Sequence, residues 1–194
     1  MERTAIEARL LEVLVRRSYF YRPDKPFVLA SGKTSPVYID CRRTTTYAPA
    51  LPLVGEAVYA RLRPLVGDRG VAAVGGLTMG ADPIAAAVAY YSARAGAPIS
   101  WFSVRKEQKS HGTTRWVEGS AEQGDRVAIV DDVVTTGGST VIAIERCREQ
   151  GLDVVAAVVL VDRSEGGEGR TRVEAALGSG GTFTALFTRR DLEG

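Results

Sequence analysis

From Val154 to Val161 the chain runs eight residues without a polar side chain, and Val71–Val74 and Val127–Val130 are likewise apolar throughout. A strand with one wet face alternates. A strand that is apolar on both sides must be covered twice, as happens in a parallel sheet held between helix layers. Helical patterns fall between these runs: Ala48–Leu62, Pro83–Arg94, and Ser139–Gln150 ended by Gly151. Ile99–Val104 reads as one more strand. Strands that alternate with helices need right-handed crossovers, which predicts a doubly wound α/β core. Ile6, Leu10, Val13 and Leu14 give an amphipathic helix over residues 2–17. Residues 27–40 read as two short strands around a Ser-Gly-Lys-Thr turn, and Arg172–Thr188 as two further short strands. No linker divides the chain, so residues 1–194 are expected to form a single α/β domain with an N-terminal extension packed on it.

The same run is too short to cross a membrane. Glu2, Arg3, Glu7, Arg9 and Glu12 interrupt any signal-peptide core at the N-terminus. Cys41 and Cys147 are too few for a disulfide framework or a zinc site. A cytoplasmic protein is the expectation. The 25 basic and 23 acidic side chains nearly cancel, which argues against a nucleic-acid partner.

Chemistry concentrates in Arg126-Val-Ala-Ile-Val-Asp-Asp-Val-Val-Thr-Thr-Gly-Gly-Ser-Thr140. A buried strand leads into two adjacent acids, then into hydroxyls and glycines, then into a helix. Ligands of open α/β sheets bind at the carboxyl ends of strands. Small side chains from Thr135 to Ser139 let backbone N–H groups close around a phosphate at a helix N-terminus. Asp131 and Asp132 would repel that phosphate, so something lies between them: ribose hydroxyls, which donate to carboxylates, or Mg²⁺, which takes oxygen ligands. The loop lacks the Gly-Lys-Ser/Thr ending of a P-loop, and the chain has no GxGxxG.

Val127 to Ser139 closely resembles the phosphoribosyl pyrophosphate (PRPP) motif of type I phosphoribosyltransferases. Two further segments resemble orotate phosphoribosyltransferases in particular. Leu29-Ala-Ser-Gly-Lys-Thr-Ser-Pro-Val-Tyr38 is similar to their N-terminal signature. Val104-Arg-Lys-Glu-Gln-Lys-Ser-His-Gly112 is similar to their mobile catalytic loop, about residues 105–118. The likeness runs in order from about residue 10 to residue 165. It implies a single-domain type I phosphoribosyltransferase fold: a central, mostly parallel sheet flanked by helices, with a small N-terminal hood of about residues 1–45 joined by C-terminal strands. It also implies that orotate and PRPP, with Mg²⁺, give orotidine 5′-monophosphate and pyrophosphate in pyrimidine biosynthesis, and that a homodimer shares the catalytic loop across subunits.

Carried onto this chain, the resemblance assigns PRPP to Arg105, Lys106, Lys109, His111, Asp131, Asp132, Val133, Val134, Thr135, Thr136, Gly137, Gly138 and Ser139. Lys109, His111, Asp131 and Asp132 would be catalytic, with Lys109 neutralising the departing pyrophosphate. Mg²⁺ would be held mainly by PRPP, with Asp131 and Asp132 its only candidate protein ligands. Arg163, Thr135 and Lys33 would meet orotate; arginine suits a carboxylate because its planar fork binds both oxygens. On spacing alone Arg163 fits a surface ion pair with Asp162 or Glu165 equally well. Gly75-Gly-Leu-Thr-Met-Gly-Ala-Asp-Pro-Ile84 resembles the pyrophosphate loop of the family. Two lysines common in relatives are missing, at Ala30 and Gly80, so a cation must come from elsewhere, with Lys33 and Arg43 as candidates. A phosphoribosyltransferase for another base, and a PRPP-sensing regulator, are the competing readings.

Overall fold

The computed structural model describes residues 3–28, 32, 34–66, 70–107 and 115–194. Lys33, Lys109 and His111 lie outside the described residues. Helix α1 (Ala5–Ser18) leads into short strands β1 (Tyr19–Tyr21), β2 (Phe27–Val28), β3 (Thr34–Ser35) and β4 (Val37–Ile39), then α2 (Arg42–Thr45) and α3 (Leu51–Val66). The core follows as β5 (Ala73–Leu77), α4 (Asp82–Arg94), β6 (Ser100–Val104), β7 (Val117–Gly119), β8 (Arg126–Val134), α5 (Gly138–Glu149) and β9 (Asp153–Asp162). The chain ends with α6 (Glu168–Leu177), β10 (Thr182–Thr188) and α7 (Arg189–Glu193).

Six strands form one sheet in the order β10-β9-β8-β5-β6-β7, parallel except for β7, which runs antiparallel to β6 at the edge. The unbroken apolar runs have the predicted cause. Ala128, Val130, Val158 and Leu160 face one core with α1, α3 and α4. Val127, Ile129, Ala157 and Val159 face the other with α5 and α6. Because α4 and α5 cover opposite faces, the winding reverses at β5 and β8, and a crevice opens at the carboxyl ends of those two strands.

Several expectations need correction. β8 does not stop at Val130. It continues through Asp131 and Asp132 to Val134, because β9 accompanies it with Asp131 opposite Val159 and Val133 opposite Val161. The stretch read as two strands at Arg172–Thr188 is the helix α6 followed by the single strand β10. Val173 and Leu177, one turn apart, are buried together, and Arg170 pairs with Glu174 at the same spacing. β10 lies in the central sheet beside β9, so C-terminal strands do not join the hood. What joins it is α7, where Asp191 pairs with Arg3 just before α1. Residues 117 and 118, placed in the catalytic loop by the resemblance, pair with β6 as part of β7. β1, not anticipated, pairs with β4.

The N-terminal extension is anchored by polar contacts. Thr4 and Glu7 close a capping box at the start of α1. Glu7 is buried yet ionised below the usual carboxylate range: burial raises its pKa, but hydrogen bonds from Thr4 and Arg61 of α3 outweigh that. The hydroxyls of Ser18 and Thr44 share a buried hydrogen bond at 2.7 Å.

Two glycines let the sheet close beneath the crevice. A Cβ on Gly75 would fall on the carbonyl and ring of Phe102 in β6, and one on Gly76 would press on the Val130 carbonyl and, at 2.8 Å, on Ala81. Phe102 is fully buried and flanked by sheet on both sides, so it has nowhere to retreat. Gly75→Ala is therefore expected to destabilise the fold by about 2–3 kcal/mol through overpacking, measured as a lower urea midpoint with an unchanged slope. A midpoint equal to that of the parent would contradict this packing.

Candidate active site

Three clefts meet at the reversal point. The largest, of about 430 Å³, takes the acid pair from β8, Asp40 and Arg42 from the N-terminal extension, Met79 and Gly80 from the β5–α4 turn, and Lys106. The second, about 260 Å³, is enclosed by residues between Asp131 and Thr140. The third, about 240 Å³, lies between the β3–β4 segment and the ends of β9 and β10. Thr135 lines the second and third, and Arg163 lines the first and third.

Asp131 and Asp132 are only 5% and 9% exposed. Thr140 donates its hydroxyl to Asp131 at 3.0 Å, and the Asp132 N–H donates to Asp131 at 3.0 Å. Burial, and then the neighbouring Asp132 charge, push the Asp131 carboxyl up to about 7. Burial raises Asp132 as well, with the positive charge of Arg42 among the effects that oppose it. Two carboxylates held this close and this dry call for a hydroxyl donor or a cation between them.

The second cleft is a cup walled by small residues. Gly137 takes the left-handed conformation (φ 75°) and ends against the carbonyl of Gly169, where a Cβ would stand 2.7 Å away. The turn sends α5, twelve residues long, away from the cup with its N-terminal N–H groups at the rim. Thr136, Gly138 and Ser139 complete the wall. Val133 lines the cup, whereas Val134 is buried in the core and its carbonyl accepts from the Arg163 N–H at 2.9 Å.

Arg163 is not engaged in the alternative surface pairing with Asp162. Its Nε donates to the Thr135 hydroxyl at 2.7 Å, while Asp162 accepts from the N–H and hydroxyl of Ser164. Lys106 lines the large cleft. Arg105 does not: its guanidinium pairs with Glu118 across the β6–β7 edge at 2.9 Å. Arg146 of α5 grips the carbonyls of both Arg105 and Lys106 and stacks 3.9 Å over Trp116, fixing the described ends of that loop.

Arg43, a candidate replacement for the missing lysines, faces away, 5.0 Å over the Phe20 ring. Its neighbour Arg42 lines the cleft instead and pairs with Asp40 at 3.1 Å. Neither Asp40 nor Arg42 stood out in the sequence, although Tyr38, Asp40 and Arg42 share one parity leaving β4. Position 80 has no room for a longer side chain without moving the acids. A Cβ there would stand 3.0 Å from Asp132 and 3.1 Å from Asp131. Cys41 and Cys147 are buried thiols, both pushed up by burial, Cys147 to about 12, so neither is a nucleophile at neutral pH.

The phosphoribosyl transferase domain family matches residues 56–174, which run from within α3 through most of α6. The orotate phosphoribosyltransferase of Aquifex aeolicus is 43% identical over 82% of this chain and 85% of its own length. That of Bradyrhizobium sp. strain ORS 278 is 39% identical over 98% of this chain and 99% of its own. The chain belongs to the orotate phosphoribosyltransferases. The crystal structure of the Mycobacterium tuberculosis orotate phosphoribosyltransferase in complex with PRPP superposes with a TM-score of 0.76 at 32% identity, covering 97% of this chain and 99% of that one. As in other orotate phosphoribosyltransferases, the domain is a type I phosphoribosyltransferase fold. Among the described residues of this one, no helix is long and apolar enough to cross a membrane.

The raised Asp131 carboxyl has a measurable consequence. An unfolded aspartate loses its proton near 3.8, whereas the folded one keeps it to about 7. Between those values the folded state binds the extra proton, so the contribution of Asp131 to stability is present below 3.8 and is lost as pH rises to 7. Asp131→Asn removes this dependence. Its stability relative to the parent is expected to improve as pH rises from 4.5 to 7, by at most about 1.4 kcal/mol per pH unit, read from thermal melts of both proteins without ligand. A difference that stays flat with pH would show that the pair is not strained.

Proposed function

We propose that the three clefts together bind PRPP and orotate and transfer the phosphoribosyl group to N1 of orotate, giving orotidine 5′-monophosphate and pyrophosphate for pyrimidine biosynthesis. The observation that carries this reading is the shared wall. The anion cup and the acid cleft share Asp131, Asp132 and Ser139, and the acid cleft adjoins the arginine-lined pocket through Arg163, the order in which a 5-phosphate, a ribose and a base follow one another.

In this reading the N–H groups from Thr135 to Ser139 hold the 5-phosphate, which anchors the ribose over Asp131 and Asp132. The 2- and 3-hydroxyls donate to those carboxylates. The bond from the anomeric carbon to the pyrophosphate oxygen breaks while the bond to N1 forms; the departing pyrophosphate takes the bonding pair and accepts the proton that N1 gives up. Positive charge grows on the ribose ring during the transfer, and two buried carboxylates beside it lower its energy more than water would. Lys106 lines the cleft that the departing pyrophosphate would leave, and Lys109 and His111 are assigned by the sequence to neutralise it. Arg105 joins them only if its pair with Glu118 opens. Arg163 meets the base.

Magnesium fits this site: Asp131 and Asp132 offer oxygen ligands of the kind Mg²⁺ prefers, and such ions commonly take one or two carboxylates and leave the rest to substrate phosphates. Bound with PRPP, it would screen the pyrophosphate charge. The chain is also read as a cytoplasmic homodimer whose catalytic loop reaches the neighbouring subunit. An apolar groove of about 710 Å³ between α3 and α4 supports the dimer. Leu51, Pro52, Pro83 and Tyr91 line it, and Tyr90 at its rim is 67% exposed. The buried Thr45 hydroxyl, without a hydrogen-bond partner among the described residues, also lines it.

Loss of orotate absorbance with PRPP and Mg²⁺, run beside adenine, hypoxanthine and uracil, tests the function. Turnover confined to orotate is expected, and Arg163→Ala should raise the orotate KM at least about tenfold while PRPP affinity holds. Turnover of a purine, or tight PRPP binding with no turnover, would replace this reading. For the assembly, Tyr90→Glu should shift the sedimentation coefficient from dimer to monomer and depress kcat with it. A variant still dimeric, or a fully active monomer, would rule out this face or the shared loop.

A further inference from the structure

Two arginines line the third cleft, and the reading above uses one of them. β9 and β10 run parallel with Thr188 opposite Asp162. The residue that leaves each strand at its carboxyl end is therefore an arginine, Arg163 after β9 and Arg189 after β10. Both line the same cleft of about 240 Å³, together with the carboxylate of Glu165 and the hydroxyl-bearing residues Thr34 and Ser35. The position of Arg189 is fixed by its neighbours. Thr188 and Asp191 form a capping box, with the Asp191 carboxylate accepting from the Thr188 N–H at 2.7 Å, and this turns the chain sharply from strand into α7. Arg189 donates through Nε to Glu193 one turn later, at 2.7 Å, in a pair whose side chains are 40% and 35% exposed. An ion pair this exposed is weak, so it competes poorly with an anion held inside a cleft.

We propose that Arg189 is a second specificity-determining residue of the base pocket and that, with Arg163, it makes the pocket select an anionic pyrimidine over a neutral one. The proposal rests on the orotate reading of this site. Orotate and uracil present the same ring carbonyls and differ by one carboxylate. A single arginine serves either base through a carbonyl. Once Glu193 yields Arg189, the two arginines against the one carboxylate of Glu165 leave the described wall with a net positive charge, which stabilises a carboxylate more than a neutral ring. The two charges arrive on separate strands, so neither needs to be displaced for the other to act. The C-terminal helix thereby becomes part of the site, although it lies beyond the family-matched segment that ends at residue 174.

The test is steady-state kinetics of the full chain carrying Arg189→Gln, Arg189→Lys or Glu193→Gln, with uracil as a competitive inhibitor against orotate. Glutamine keeps a donor for Glu193 and removes the charge; lysine keeps the charge. Arg189→Gln is expected to raise the orotate KM about tenfold, with kcat, the PRPP KM and the uracil inhibition constant within about twofold of the parent. Arg189→Lys should recover most of the orotate affinity, and Glu193→Gln should leave it unchanged or improved. An unchanged orotate KM in a folded Arg189→Gln variant overturns the proposal. So does an equal rise in both KM values, or a fall in kcat alone, since either would mark a distorted site rather than a lost charge contact. Absence of orotate turnover in the parent protein would defeat the functional reading itself, and it would be visible before any variant is compared.

Discussion

Everything at this site depends on holding two ionisable carboxylates where a sheet would normally put valines. β8 is paired on both sides where the acids begin to approach, and β9 follows it to Val134. Asp131 and Asp132 are therefore dragged out of water by the same hydrogen bonding that builds the core. Thr140 and one backbone N–H satisfy part of Asp131, and Arg42 supplies charge from the far wall. The remainder is unmet need, which a protein retains when a ligand is to meet it.

Around that pair the molecule spends its rigidity unevenly. The cup is set by one left-handed glycine and a well-formed helix, and the sheet beneath is packed so tightly that Gly75 and Gly76 admit no methyl group. The walls that would meet the base and the pyrophosphate are built from the ends of elements: the exits of β4, β9 and β10, and the β5–α4 turn, where Asp82 holds the hydroxyls of Thr78 and Ser103 at 2.6 and 2.8 Å. In the proposed reading, phosphate binding is thus framed by the core, and specificity by its margins, as in other α/β enzymes.

Legibility in the sequence follows the same division. The run from Val127 to Ser139 announces strand, acids, cup and helix in one continuous stretch, because every part is local. The apolar strands gave the doubly wound core for the same reason, since burial on both faces leaves no polar residue to hide. What was misread depends on partners distant in sequence. α6 looked like strand because its apolar side is only Val173, Ala176 and Leu177, too narrow a stripe to outweigh its short length. The strand end at Val130 was set by the first acid, whereas the real end is set by β9. Arg42 was hidden behind Arg43, since nothing local says which of two adjacent arginines turns toward a cleft made largely by other segments. Arg189 was silent for a similar reason: only the register of β10 against β9 brings it beside Arg163.

The hydrogen bond between Arg163 and Thr135 joins two clefts and, in the proposed reading, two binding events. Thr135 belongs to the cup and Arg163 to the pocket beside it, so any shift in one that accompanies occupation is felt by the other through a single 2.7 Å link. Such cross-talk is thermodynamically reciprocal: whatever one substrate does to the affinity of its companion, the companion returns in equal measure. A single compound that spans both compartments would collect this mutual benefit in one association step, without the entropic cost of gathering two separate molecules. The geometry of the partition therefore sets the length and the charge order of such a bisubstrate ligand: anion, linker, then a planar acid.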